Sequence, residues 1–207
     1  MVPPRVRALI ALLSLLVAVP ASAAVTPWGF DLSAFVYAPK NEDVFTAPTL
    51  AADRGTLHLE ARYNYEDLET GSFFVGRNIA FEDQDVNGTV VPVLGLVVGN
   101  TAGIAPGVNI DLAWGRFEFT TETEVVIELP DSEESFLYSW VEGTLEPVHG
   151  LRLGVAGQRT KVKEIGLDLR RGPMLSLSAA RGWLGVYWFD PDLKDQETWV
   201  FAGGITF

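Results

Sequence analysis

Apolar and polar residues alternate with period two along most of this chain after residue 27. The pattern is cleanest over residues 56–66. Leu57, Leu59, Ala61, Tyr63 and Tyr65 share one parity there, and His58, Glu60, Arg62, Asn64 and Glu66 share the other. Val108, Ile110, Leu112 and Trp114 are likewise set against Asn109, Asp111 and Ala113. Phe117, Phe119, Val125 and Ile127 are set against Glu118, Thr120, Glu122, Glu124 and Glu128. Side chains on a strand point alternately to opposite faces, so this alternation predicts strands with one apolar and one polar face.

Turn-forming clusters rich in Gly, Pro, Asn and Asp punctuate these runs, from Pro39–Asp43 to Asp190–Gln196. They divide the chain into twelve predicted strands: 28–38, 44–51, 55–66, 72–82, 88–98, 104–114, 116–128, 136–146, 151–161, 169–179, 183–189 and 197–207. Such lengths suit strands that cross a bilayer, which need about 9–11 residues. An even count is required if both ends of the barrel chain lie on one side. Ten strands also satisfy parity, if 44–51 is loop and 104–128 contains one long strand kinked at Gly115. The apolar phase shifts between Trp114 and Phe117, which suits a tight turn or a bulge.

The amino terminus breaks the pattern. Arg5 and Arg7 precede an apolar run from Ala8 to Val19, and Pro20-Ala-Ser-Ala23 follows. A basic start, a short apolar run and a small-residue ending are the parts of a secretory signal peptide, with cleavage expected after Ala23. The run is too short for a spanning helix, which needs about 20 residues. The expected organisation is therefore a signal peptide over 1–23 and one domain over 24–207.

The final residues, Thr198-Trp-Val-Phe-Ala-Gly-Gly-Ile-Thr-Phe207, place Trp199, Phe201, Gly203, Ile205 and Phe207 on one parity. With the first 24 residues and the alternating strands, this closing strand resembles those of Gram-negative outer-membrane β-barrel proteins. The resemblance covers the architecture of the whole chain and implies an all-β, antiparallel, up-and-down transmembrane barrel. It also implies export through the inner membrane, residence in the outer membrane, and an assembly signal in Phe201, Ile205 and Phe207 read by the barrel-assembly machinery. Outer-membrane lipid and lipopolysaccharide are the partners it implies, and the expected state is a monomer. Aromatics near strand ends, namely Trp28, Tyr63, Tyr65, Trp114, Trp183 and Trp199, fit an interfacial girdle. A secreted β-sandwich or lipocalin-like barrel would instead bury the apolar face.

Charge narrows the chemistry. Two of the 15 basic residues fall in the signal segment, leaving 13 against 27 acidic ones. That balance argues against nucleic acid, which selects a basic face. There is no Cys, so disulfides and thiolate metal sites are excluded. No phosphate-cradling glycine loop or metal motif occurs, and no cofactor is implied.

In a lipid-facing barrel the polar parity lines the lumen. The candidates there are His58, Glu60, Arg62, Asn64, Asn109, Asp111, Glu118, Glu122, Glu142, Arg152 and Arg170. Two roles follow. Carboxylates and guanidiniums can cross-link into a plug, since small barrels fill their interior with side chains. Alternatively, an acid-rich lumen is a narrow, porin-like pore favouring cations. A lipid-modifying enzyme built on His58 and Glu60 is a third reading. Outer-membrane lipid hydrolases carry a His and a Ser two residues apart on one strand. Here the positions two away from His58 hold Thr56 and Glu60, so no catalytic residue is assigned.

Overall fold

The computed structural model describes residues 26–129, 135–162 and 166–207. The expected signal peptide lies outside them. The strands are β1 (Gly29–Pro39), β2 (Phe45–Arg54), β3 (Leu57–Tyr63), β4 (Thr70–Arg77), β5 (Ile79–Asp83), β6 (Val86–Gly99) and β7 (Gly103–Trp114). They continue as β8 (Phe117–Glu128), β9 (Phe136–Val148), β10 (Leu151–Val162), β11 (Gly166–Ala179), β12 (Gly182–Phe189) and β13 (Thr198–Thr206). No helix occurs among the described residues.

Neighbours along the chain pair antiparallel, and β1 pairs β13 with Val36 opposite Phe201. The sheet is thus a closed twelve-stranded barrel, with β5 as an extra piece. The ten-strand alternative is excluded. Residues 45–54 form a strand, and β7 and β8 are separate strands joined at Gly115, whose φ is +61°.

The strand predicted over 72–82 is divided at Asn78. Both pieces pair with β6 in one continuous register, Gly76 opposite Val93 and Ile79 opposite Val90. The interruption falls where Pro92 sits in β6, and proline has no N–H to give the ladder. Asn78 bonds elsewhere: its backbone N–H donates to the Thr56 carbonyl at 2.9 Å, and its side chain donates to Asp53 Oδ1 at 2.6 Å.

The two ends of the barrel differ. One carries the start of β1, the end of β13 and five two-residue turns, at 55–56, 84–85, 115–116, 149–150 and 180–181. The other carries the longer connections, among them 40–44, 64–69 and 190–197. The first is the turn end and the second the loop end.

The outer wall is largely apolar. Large apolar side chains cover the outer wall: Leu184 is 71 % exposed, Val155 64 % and Phe73 60 %. His58, Glu60, Arg62 and Glu124 are buried inside. The interior is not wholly polar, however. Tyr37, Val97, Val126, Phe136, Tyr138, Phe189 and Val200 are buried together toward the loop end, with Trp140 and Tyr187 one layer deeper. The lumen expected to be lined by polar residues is therefore filled with rings over its loop-end half.

Glycine makes room for one of those rings. A Cβ at Gly95 in β6 would overlap the Phe74 ring from β4. Overpacking of this kind costs about 1–3 kcal/mol. Gly95→Val is expected to lower the urea midpoint of the refolded barrel, followed by far-ultraviolet circular dichroism. An unchanged midpoint would count against close packing there.

Candidate functional site

Alternation along β3 turns His58, Glu60 and Arg62 inward, and all three are buried. Arg62, with 1 % of its side chain exposed, is the centre of the site. Its Nε donates to Glu60 Oε1 at 2.8 Å and one terminal nitrogen donates to Glu60 Oε2 at 3.1 Å, a bidentate pair. Glu124 Oε2 lies at 3.4 Å, Glu122 Oε2 at 3.6 Å and Glu66 Oε1 at 3.8 Å from the same guanidinium. The Tyr65 and Phe74 rings each lie 4.4 Å from it, centroid to carbon. Aromatic faces attract a cation most strongly when water is excluded.

One guanidinium thus serves four carboxyl groups. Neutral donors supply part of the remainder: the Tyr65 hydroxyl donates to Glu122, and Ser72 Oγ donates to Glu66 Oε1 at 2.7 Å. Glu66 Oε2 and Glu124 Oε1 are buried with no hydrogen-bond partner among the described residues. Glu66 sits in the loop beyond β3, where burial pushes its carboxyl up from the ordinary range against the opposing pull of Arg62.

His58 bridges this cluster to the turn end. Its Nδ1 lies 2.9 Å from Asp53 Oδ1 and its Nε2 lies 3.3 Å from Glu60 Oε2. Both ring nitrogens are occupied by carboxylates. A base awaiting a substrate needs one nitrogen turned to the reacting group, and this geometry offers neither.

The remaining candidates spread along the barrel. Asn109, Asp111 and Glu122 line a polar cavity at the turn end together with His58 and Glu60. Glu118 pairs with Arg152 at 2.9 Å, and both border a neighbouring cavity. Glu142 Oε1 accepts from Trp140 Nε1 at 2.8 Å and from the Tyr187 hydroxyl at 2.9 Å. Arg170 is half-buried and lies 3.5 Å from Asp168. Asn64 does not line the lumen. It lies past the end of β3 with φ +55°, where its side chain donates to the Thr46 carbonyl and accepts from the Glu69 N–H.

Of the six expected girdle aromatics, Trp28, Tyr63, Trp114 and Trp199 are exposed. Tyr65 and Trp183 instead line a lumen cavity, where the Tyr65 hydroxyl donates to Glu122 and the Trp183 ring meets Phe35 edge-on. Phe201, Ile205 and Phe207 are exposed on the outer wall. Phe207 also closes the seam: it exchanges backbone hydrogen bonds with Phe30 at 2.9 Å each way, and their rings stack at 5.5 Å.

The residues missed from the sequence are the interior aromatics. One signal was present. In β9, Phe136, Tyr138, Trp140 and Glu142 share a parity, while Leu137, Ser139, Val141 and Gly143 share the other. Both parities are largely apolar, but Glu142 assigns the aromatic one to the inside.

Removing the cation from such a cluster strands buried charge, which costs about 3–5 kcal/mol. Arg62→Met is expected to destabilise the barrel by that amount in denaturant titration. Because acids outnumber the cation, Glu124→Gln is expected to be neutral or stabilising. A loss above about 1 kcal/mol in Glu124→Gln would mean that Glu124 is a needed partner of Arg62.

No protein-family model matches this chain, and no curated protein sequence matches it.

Proposed function

We propose that this chain is an integral outer-membrane β-barrel whose lumen is plugged, and that its role is structural rather than conductive. The observation that carries this reading is the packed loop-end half of the lumen, where rings from β1, β9 and β12 pack together alongside the Arg62 cluster. Beside the rings, the guanidinium and its four carboxyl groups, one of them Glu66 in the loop-end connection 64–69, bridge β3 and β8 across the same part of the lumen. Bilayer residence is supported by the apolar outer wall and by closure, since an open sheet edge is not tolerated in lipid. Short turns at one end and longer connections at the other fit the periplasmic and external sides of such barrels.

In this reading residues 1–23 direct export and are removed. The exposed terminal strand is the segment that the barrel-assembly machinery reads, and lipid and lipopolysaccharide contact the outer wall. The protein works as a monomer, with the turn end in the periplasm.

Single-channel recording in a planar bilayer tests the plug. The inserted wild-type barrel is expected to give no discrete conductance steps. Tyr138→Ala combined with Trp140→Ala is expected to produce them. Salt-dependent steps from the wild type would overturn the plugged reading in favour of a cation-preferring pore. Recovery of the expressed protein in the soluble periplasmic fraction would overturn the membrane assignment.

A further inference from the structure

A cavity of about 350 Å³ runs into the lumen from the turn end as far as Tyr37 and Tyr65. That is the lower end of the size range of small-ligand pockets. Phe35, Trp140, Trp183 and Tyr187 form its apolar wall. They are fixed by mutual edge contacts, Phe35 to Trp140 at 5.5 Å and Trp140 to Tyr187 at 5.4 Å between centroids.

The charged groups at this cavity are Glu60, Glu122, Glu142, Arg152 and Arg181. Most are already matched. Glu60 is held by Arg62 and His58, Glu122 by the Tyr65 hydroxyl and Arg62, and Arg152 by Glu118. Arg181 is exposed in the turn at the mouth. Glu142 is different. No cationic side chain lies within ion-pair distance of it among the described residues; Arg152, on the same cavity, acts on it only from longer range and is paired with Glu118. Both of its hydrogen bonds, from Trp140 and Tyr187, fall on Oε1. Its Oε2 takes none.

We infer that this cavity is a binding site for a small organic cation, an amine or quaternary ammonium with a short apolar body. A carboxylate lacking a cation calls for positive charge, and aromatic walls favour a cation that is weakly hydrated. An inorganic ion fits poorly. Hard cations take six or more oxygen ligands, and among the described residues no three His, Asp or Glu side chains are grouped to hold a metal. The same donors that fix Glu142 Oε1 also orient its carboxylate, so the site is preorganised and little ordering remains for the ligand to impose. The site lies inside the barrel, so it does not depend on what the outer wall faces.

Choline and its uncharged tert-butyl isostere are the probes, titrated into the refolded barrel in a glycoside detergent while tryptophan fluorescence is read. Choline is expected to give a saturable change, because Trp140 and Trp183 stand in the wall. The isostere is expected to bind at least about tenfold more weakly, a difference of about 1.4 kcal/mol. Glu142→Gln keeps an acceptor for Trp140 and Tyr187 and removes only the charge; it is expected to weaken choline to the level of the isostere. Trp183→Leu is expected to weaken both probes. The inference fails if choline and the isostere titrate alike, if Glu142→Gln binds choline as the wild type does, or if a barrel with intact strand dichroism shows no saturable change. Conductance by the wild type would remove the plug and leave the binding result standing.

Discussion

The buried charges at the loop end of this barrel are arranged around one guanidinium, that of Arg62. A charge taken out of water must be met by opposite charge and by hydrogen bonds, or it unfolds the site that holds it. Arg62 is met in its plane by carboxylates from β3, β8 and the loop after β3, and on its faces by the rings of Tyr65 and Phe74. These groups come from strands that are not neighbours in the ring. The interaction therefore ties β3 and β4 to β8 across the interior, a linkage that the hydrogen-bonded ladder around the circumference does not make. The acids outnumber the cation, so the cluster relies on Tyr65, Ser72 and His58 to share what Arg62 does not reach.

The wall of the barrel was legible because it obeys a single rule. Where one face meets water or polar groups and the other meets an apolar medium, period-two alternation marks the strand directly. β3, β7 and β8 show it most clearly, and their predicted bounds differ from the observed ones by three residues at most. The division at Asn78 was hidden for a different reason. It is caused by Pro92 on the partner strand, so no local pattern in residues 72–82 reveals it. The apolar phase carries through the break unchanged.

The interior was less legible. His58, Glu60, Arg62, Glu122 and Glu142 could be assigned to the inside by parity, but parity cannot say which of them meet. That depends on the height of each strand in the barrel, which is set by register between strands. Asn64 and Tyr65 were placed by extending β3 three residues too far; the chain turns after Tyr63 and sends Tyr65 over the guanidinium. Aromatic residues are ambiguous by nature in such a wall, since they suit the interface, the lipid and a packed lumen equally. Trp114 and Trp183 both stand at strand ends near the turns, yet one is exposed outside and the other borders an internal cavity.

The seam between β1 and β13 sets the order of events in folding. Every other neighbouring pair is a hairpin whose partners are close in sequence, whereas Asp31 faces Thr206 and Phe30 bonds to Phe207. The entropy of bringing such distant segments together must be met before their contacts contribute. Hairpins can zip one after another from either side, but the ring closes only when the two outermost strands find each other. Until then each exposes a bare edge. The slow and vulnerable step for this molecule is thus circularisation, and the stacked pair of Phe30 and Phe207 is the clasp that ends it.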